Sequence, residues 1–247
     1  MQHGFTKRTS RITGLMLAAG LALSGCGSDR EGTELSRITA ELVKSTGKQL
    51  GSKLGGGKEE KPDSAGAAPA AATDPNAVVA KALAATKGPI ALVVRIETKA
   101  VLAISPVGQN GDYVTWGSAP GQGLTFQRGV LANTRGLGDD LMASRIDTAV
   151  SAITARRNAT YKREHTYLGD LGQNTSLVVD CTLTRGKTER VSLGAINADA
   201  VIMKESCRRG EIAFNNVYWV DGNGRVLKSS QWVGQRIGSL AIQNLRL

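Results

Sequence analysis

Histidine is nearly missing from this 247-residue sequence: there are two, and one of them, His3, sits at the very start. Any Ser-His-Asp or Cys-His mechanism in the body of the chain must therefore use His165. Cysteine is scarce too, at three residues with no CxxC spacing, so no zinc-type metal site is expected. Gly121, Gly123 and Gly129 are wrongly spaced for a nucleotide fingerprint, and no cofactor is expected. Beyond the N-terminus no apolar run reaches the length that crosses a bilayer as a helix. Aromatic residues make up only 4%, and from Gly27 to Asp112 there is none. A region able to build a core therefore ends the chain, and a poorer region precedes it.

The poorer region begins with an explicit signal. Lys7, Arg8 and Arg11 precede a short apolar stretch from Ile12 to Leu23. A basic start, a short apolar core and small residues at the exit make a secretory signal. The exit, Leu23-Ser24-Gly25-Cys26, resembles the lipobox of bacterial lipoproteins. The resemblance implies cleavage after Gly25 and lipidation of the Cys26 thiol. More than one acyl chain gives stable anchoring. Gly27, rather than Asp, follows the cysteine, and the sorting rule of enteric bacteria then favours the outer membrane, facing the periplasm.

Three segments are expected: a signal peptide over 1–25, a lipidated flexible tether over 26–76, and a mainly β domain over 77–247. The tether contains Gly55-Gly56-Gly57, a charge cluster from Lys58 to Lys61, and a Pro/Ala/Ser/Gly run from Pro62 to Pro75. Such composition cannot repay the entropy of ordering. As a coil of about 50 residues it reaches roughly 40 Å from the membrane. Leu35, Ile38, Leu42 and Val43 could form one face of a weak helix within it.

In the third segment, Pro75-Asn76-Ala77-Val78 opens a short helix to about Lys87. Strands are predicted at Ile90–Glu97, Val101–Ile104, Tyr113–Trp116, Leu124–Arg128, Tyr161–Tyr167 and Ser176–Thr184. In the last of these Leu177, Val179, Cys181 and Leu183 face one way. Phe214–Val220 and Arg225–Val233 flank the turn Asp221-Gly222-Asn223-Gly224, a hairpin signal. Leu141–Thr154 is a second helical candidate. Many short strands argue an antiparallel sandwich or partly closed barrel with one or two short helices.

Cys181 and Cys207 remain after Cys26 is lipidated. In an oxidising compartment they read as one disulfide; two separate buried thiols are the alternative. Tyr161, Arg163, His165 and Tyr167 share one strand face. Either that face takes an anionic, ring-shaped ligand, or it is solvated with tyrosines packing at its edge. Asp139 and Asp140 are adjacent carboxylates. Glycoside hydrolysis wants two carboxyls about 5–9.5 Å apart, and neighbours point apart, so they read instead as a cap for the Leu141 helix. Residues 77–247 hold 21 basic and 13 acidic side chains within a chain of net charge +10. Behind an export signal, acidic polysaccharide or lipid phosphate is a more fitting anion than nucleic acid.

Two blocks look familiar. Asn215–Asp221 with Gly224–Gly234, and Gly129–Leu141, resemble the YjbF family of lipoproteins, associated with group 4 capsule and other exopolysaccharides. The resemblance implies a mainly β fold and a part in polysaccharide secretion, with no catalytic residues to carry over. The expected protein binds anionic polysaccharide or a secretion partner, through a surface drawn from Arg135, Tyr161, Arg163, His165, Tyr167, Trp219, Gln231 and Trp232. Tyr218 and Trp219 face opposite ways, so only some of these residues can be exposed, and because a sheet of this size needs large apolar residues and aromatics are few, at least one of Trp219 and Trp232 is expected in the core. A glycan-modifying enzyme and an envelope-structural protein are the competing readings.

Overall fold

The computed structural model describes residues 75–118, 121–169 and 172–247. The expected signal peptide, Cys26 and all but the end of the tether lie outside them. Pro75 starts helix α1 (Pro75–Ala85), where a missing N–H costs nothing. Twelve strands follow: β1 (Ile90–Arg95), β2 (Val101–Asn110), β3 (Tyr113–Gly117), β4 (Gly123–Gln127), β5 (Val130–Arg135), β6 (Leu141–Arg145), β7 (Ala159–Leu168), β8 (Asn174–Leu193), β9 (Ile196–Arg209), β10 (Ile212–Asp221), β11 (Val226–Gly234) and β12 (Gly238–Arg246). Helix α2 (Asp147–Thr154) lies between β6 and β7.

The strands form one antiparallel sheet in which every neighbour in space is a neighbour in sequence, except that β12 pairs with β1. Read in a circle, the strand order is the chain order, so the sheet is a nearly closed barrel. The partly closed barrel of the sequence reading is the form adopted. Its seam lies between β5 and β6. Two side chains bridge it: Thr134 Oγ1 accepts the Leu141 N–H at 3.0 Å and donates to Asp140 Oδ1 at 2.8 Å.

Period-2 alternation sorts side chains to two cores. Tyr218 and Val220 of β10 face inward with Met203, Leu183 and Val130, and α2 packs Val150 and Ile153 onto the same cluster. Val217 and Trp219 face outward, where α1 contributes Ala82 and the β8–β9 hairpin contributes Val191 and Ile196. That hairpin is long enough to fold back over the barrel wall. Its tip is held by the Ala195 N–H donating to Leu245 O at 2.7 Å. Gly194 at the tip has φ +59°, and a Cβ there would lie 2.6 Å from Leu245 O, so a glycine is required.

The helix expected over Leu141–Thr154 is half strand. Leu141–Arg145 pairs with β7, from Leu141↔Tyr167 to Arg145↔Glu164, and only Asp147–Thr154 is helical. Local helix propensity yields to a partner strand that buries Leu141 completely. Asp139 and Asp140 are therefore not helix caps. Asp140 instead organises the β5–β6 turn, accepting the N–H groups of Gly136 at 2.8 Å and Leu137 at 3.1 Å. Asp139 pairs with Arg236 at the surface.

Candidate functional site: a barrel cavity with a cationic mouth

The strand expected to present a solvated or ligand-binding face does neither. Tyr161, Arg163, His165 and Tyr167 of β7 do share one face, but it points into the barrel. Arg163 and His165 are buried, and the two tyrosines are half-buried. The charge is tolerated because a carboxylate two strands away meets it: Arg163 Nη1 lies 2.9 Å from Glu205 Oε2. Glu205 also accepts from Tyr161 Oη at 2.6 Å, Asn216 Nδ2 at 2.6 Å and Tyr218 Oη at 3.2 Å. Burial opposes the charge on Arg163, but the Glu205 carboxylate outweighs it and holds the guanidinium above its ordinary pKa. Burial, and then the same carboxylate, pushes both Tyr161 and Tyr218 up. Arg163 therefore stays charged and the two tyrosines stay protonated.

His165 continues the face among aromatics. Its ring stacks near Tyr167 and meets Phe214 and Trp232 edge-on, each at 5.8 Å, while Phe214 and Trp232 stack at 4.1 Å. Burial, with Arg163 nearby, lowers its pKa to about 3, so the ring is neutral at any physiological pH. Neither nitrogen has a partner among the described residues. The neutral imidazole packs as one more ring of this aromatic cluster.

Trp219 and Gln231 are buried as well. Trp219 lies under the Lys228 ammonium, 4.0 Å from its ring centroid. Gln231 reaches from β11 to the free edge of β5. Its Oε1 accepts the Leu131 N–H at 2.8 Å, and its Nε2 donates to Gly129 O at 3.0 Å. One carboxamide thus supplies the pairing that a strand would have given there. Of the eight residues expected to form a binding surface, only Arg135 is exposed, at the far end of β5, and Trp232 is half-buried against Phe214. The surface expected from them does not assemble. Cys181 and Cys207 are direct cross-strand partners on β8 and β9, with Sγ atoms 2.03 Å apart beside Glu205.

What the structure opens to solvent instead is a cavity of about 310 Å³ within the barrel. Its wall is apolar: Ile104, Val114, Trp116, Phe126, Val226 and Ile242. Two turns frame its mouth. The β4–β5 turn places Arg128, at φ +50°, before Gly129, at φ +90°. Gly129 packs so close to β11 that a Cβ would lie 2.6 Å from Val226 Cβ. The β10–β11 turn carries Asn223, Gly224 and Arg225 and is fixed by Asp221. That carboxylate accepts the N–H groups of Asn223 and Arg225, both at 2.9 Å, and pairs with Arg225 Nε at 2.8 Å. Although burial raises its pKa, these hydrogen bonds from Arg225 and Asn223 bring it below the ordinary value. The guanidinium of Arg156, just past α2, donates to Asp221 O. Arg128 has no ion-pair partner among the described residues. Lys228 also borders the cavity; burial lowers its pKa, partly offset by Glu189 at 3.6 Å. None of the lining side chains is a carboxylate, imidazole or thiol. Arg128 and Trp116 carried no functional signal in the sequence; the only cue was the turn-forming glycine after Arg128.

Residues 60–245 match the family described as group 4 capsule polysaccharide lipoprotein gfcB, YjbF. The chain belongs to the YjbF family. Membership ties it to capsule or exopolysaccharide assembly and to the lipoproteins of the cell envelope. Among solved structures, the hypothetical lipoprotein YmcC from Escherichia coli K12 is similar, with a TM-score of 0.60 and 18% identity over 71% of this chain and 93% of that one. At that identity the likeness concerns the fold alone. A putative exported protein with a YmcC-like fold from Bacteroides fragilis matches at 12% identity, over 64% of this chain and 93% of its own, with a TM-score of 0.27. No curated protein matches the chain. No helix among the described residues of this YjbF-family chain is long and apolar enough to cross a membrane.

Proposed function

We propose that this YjbF-family protein is a lipid-anchored, periplasm-facing component of the outer membrane that assists capsule or exopolysaccharide assembly by binding rather than by catalysis. The observation that carries the reading is the cavity itself. It has a largely apolar wall and cations at its mouth, and its lining side chains include no carboxylate, imidazole or thiol; Lys228 and Ser229 are engaged by Glu189 and Gln231. The buried Arg163–Glu205 network does not serve as a site, because solvent and substrate do not reach it. The ligand is a glycan-bearing species or a secretion partner with a matching acidic group. Cys26 provides the anchor, and the tether lets the barrel work away from the membrane surface.

The test is genetic and biochemical together. Deleting the gene should lower secreted polysaccharide, and the wild-type chain should restore it. Cys26→Ala should fail to restore it, and intact mass of the wild type should show loss of residues 1–25 plus acyl mass. Outer-membrane fractions should hold the wild type. Cleavage of purified polysaccharide by the protein would replace this reading with the enzyme.

A further inference from the structure

We infer that the cavity binds a single-chain lipid phosphate, with the hydrocarbon inside the barrel and the phosphate between Arg128 and Arg225. The inference deepens the proposed function by naming the chemistry its cavity selects. Three observations carry it. The wall, from Ile104 through Trp116 to Ile242, is mostly apolar and offers dispersion contacts, which suits hydrocarbon as the buried part of a ligand. Sugar hydroxyls set against Ile104, Val114, Trp116, Phe126 and Ile242 would be left unpaired.

Two turns at the mouth bring cations and an amide, Arg128, Asn223 and Arg225, while the polar strand residues of the lining, Lys228, Ser229 and Asn244, are engaged by Glu189, Gln231 Nε2 and Val226 O. Carboxylates nearby are already engaged. Asp221 is held by Arg225 and two backbone N–H groups, and Glu189 by Lys228. Arg128 is without an ion pair among the described residues, and Arg225 meets Asp221 through Nε while its side chain is more than half exposed. A guanidinium presents several donors to phosphate oxygens in one plane, and a pair of them can hold one phosphate from two sides.

The third observation is the backbone under Arg128. Its φ of +50° belongs to the left-handed region, where a turn of this kind ordinarily places glycine or asparagine. Arg128 stands there at the lip of the cavity with no ion pair among the described residues; Lys99 and Arg156 take the same backbone elsewhere.

The experiment uses the full-length acylated chain in phosphatidylcholine nanodiscs, with empty nanodiscs subtracted. The probe is dodecyl phosphate carrying a diazirine near the end of its chain. It should be retained, and illumination should mark peptides that contain Val114, Trp116 or Ile242. Arg128→Gly suits the left-handed backbone, so the fold should melt no lower than wild type while retention falls about tenfold, as expected for one lost charge-assisted contact. Ala91→Leu narrows the cavity and should lower retention with the charges intact. The inference is overturned if dodecanol is retained as well as the phosphate, if inorganic phosphate binds equally without a chain, or if the probe marks none of those peptides. Polysaccharide output separates this inference from the broader reading. Binding lost with secretion unchanged in Arg128→Gly removes the cavity's role in secretion and leaves the ligand assignment standing. No binding in the wild type, with secretion lost in Ala91→Leu, does the reverse.

Discussion

Arg163 Nη1 and Glu205 Oε2 lie 2.9 Å apart inside the barrel, with their side chains 3% and 0% exposed. The pair joins β7 to β9 across β8, and three more donors complete the carboxylate. Removing one partner leaves a buried charge with nothing to oppose it, at a cost of about 3–5 kcal/mol. Arg163→Met and Glu205→Gln should each lower stability by an amount of that order in denaturant melts. The double variant should be less destabilised than the two added together. Additive losses would mean that the pair is not coupled.

His165 makes the fold sensitive to acid. Its folded pKa of about 3 lies below the ordinary 6.5, because burial and then Arg163 disfavour the imidazolium. The unfolded chain therefore takes up the proton first as pH falls. This contribution is fully present above about pH 6.5 and is lost progressively down to about pH 3, at roughly 1.4 kcal/mol per pH unit in between. His165→Phe removes the titrating group and keeps an aromatic ring among Tyr167, Phe214 and Trp232. Its stability should fall less steeply than wild type between pH 6 and pH 4. Parallel slopes in urea titrations across that range would show that His165 does not carry the sensitivity.

The part of the fold legible in the sequence is the part with local periodicity. Val179, Cys181 and Leu183 of β8 alternate with polar residues and are buried together, as their spacing implies. The Asp221–Gly224 hairpin was legible from its turn residues. β5, β9 and β12 were not read as strands: their sequences mix Asn, Ser, Glu and Gln with apolar residues. Asn244 of β12 shows why, since its amide hydrogen-bonds to the Val226 carbonyl, 18 residues away in sequence. The β7 face was sorted correctly but read as ligand-binding or solvated, because Arg163 looks exposed until Glu205, 42 residues later, is placed beside it. The cavity was illegible for the same reason. Its wall draws single residues from many strands, and no segment of sequence contains it.

Gln231 replaces a missing strand neighbour at the free edge of β5. Gln231→Ala leaves the Leu131 N–H and the Gly129 carbonyl without partners, at about 1–3 kcal/mol for buried groups. The effect should be local as well as global. Amide exchange at Leu131 should accelerate more than exchange at residues of β8 or β9, and mass-resolved exchange on the peptide covering β5 reads this directly. Gln231→Glu keeps the shape and the acceptor but loses the donor to Gly129 O, so it should fall between wild type and alanine. Uniform acceleration across all strands would mean that Gln231 contributes packing alone.

Cys181 and Cys207 face each other across β8 and β9, 26 residues apart in sequence. Both are buried in the cluster with Val179 and Phe214, so neither thiol is open to reagent in the folded protein. A bond between them closes a loop that the β8–β9 hairpin already shapes. On the chain-entropy estimate it stabilises by about 3–4 kcal/mol. Part of that is lost where the unfolded chain keeps some hairpin character, so the measured value should lie at or below this figure. Non-reducing peptide mapping of protein taken from the periplasmic side should find the two peptides joined. Cys181→Ala with Cys207→Ala should lower the melting temperature without altering the Arg163–Glu205 coupling. Recovery of both thiols alkylated, without reductant or denaturant, would show that the cysteines are free and reachable. The stability of this part of the barrel would then rest on the buried ion pair and the aromatic stack alone.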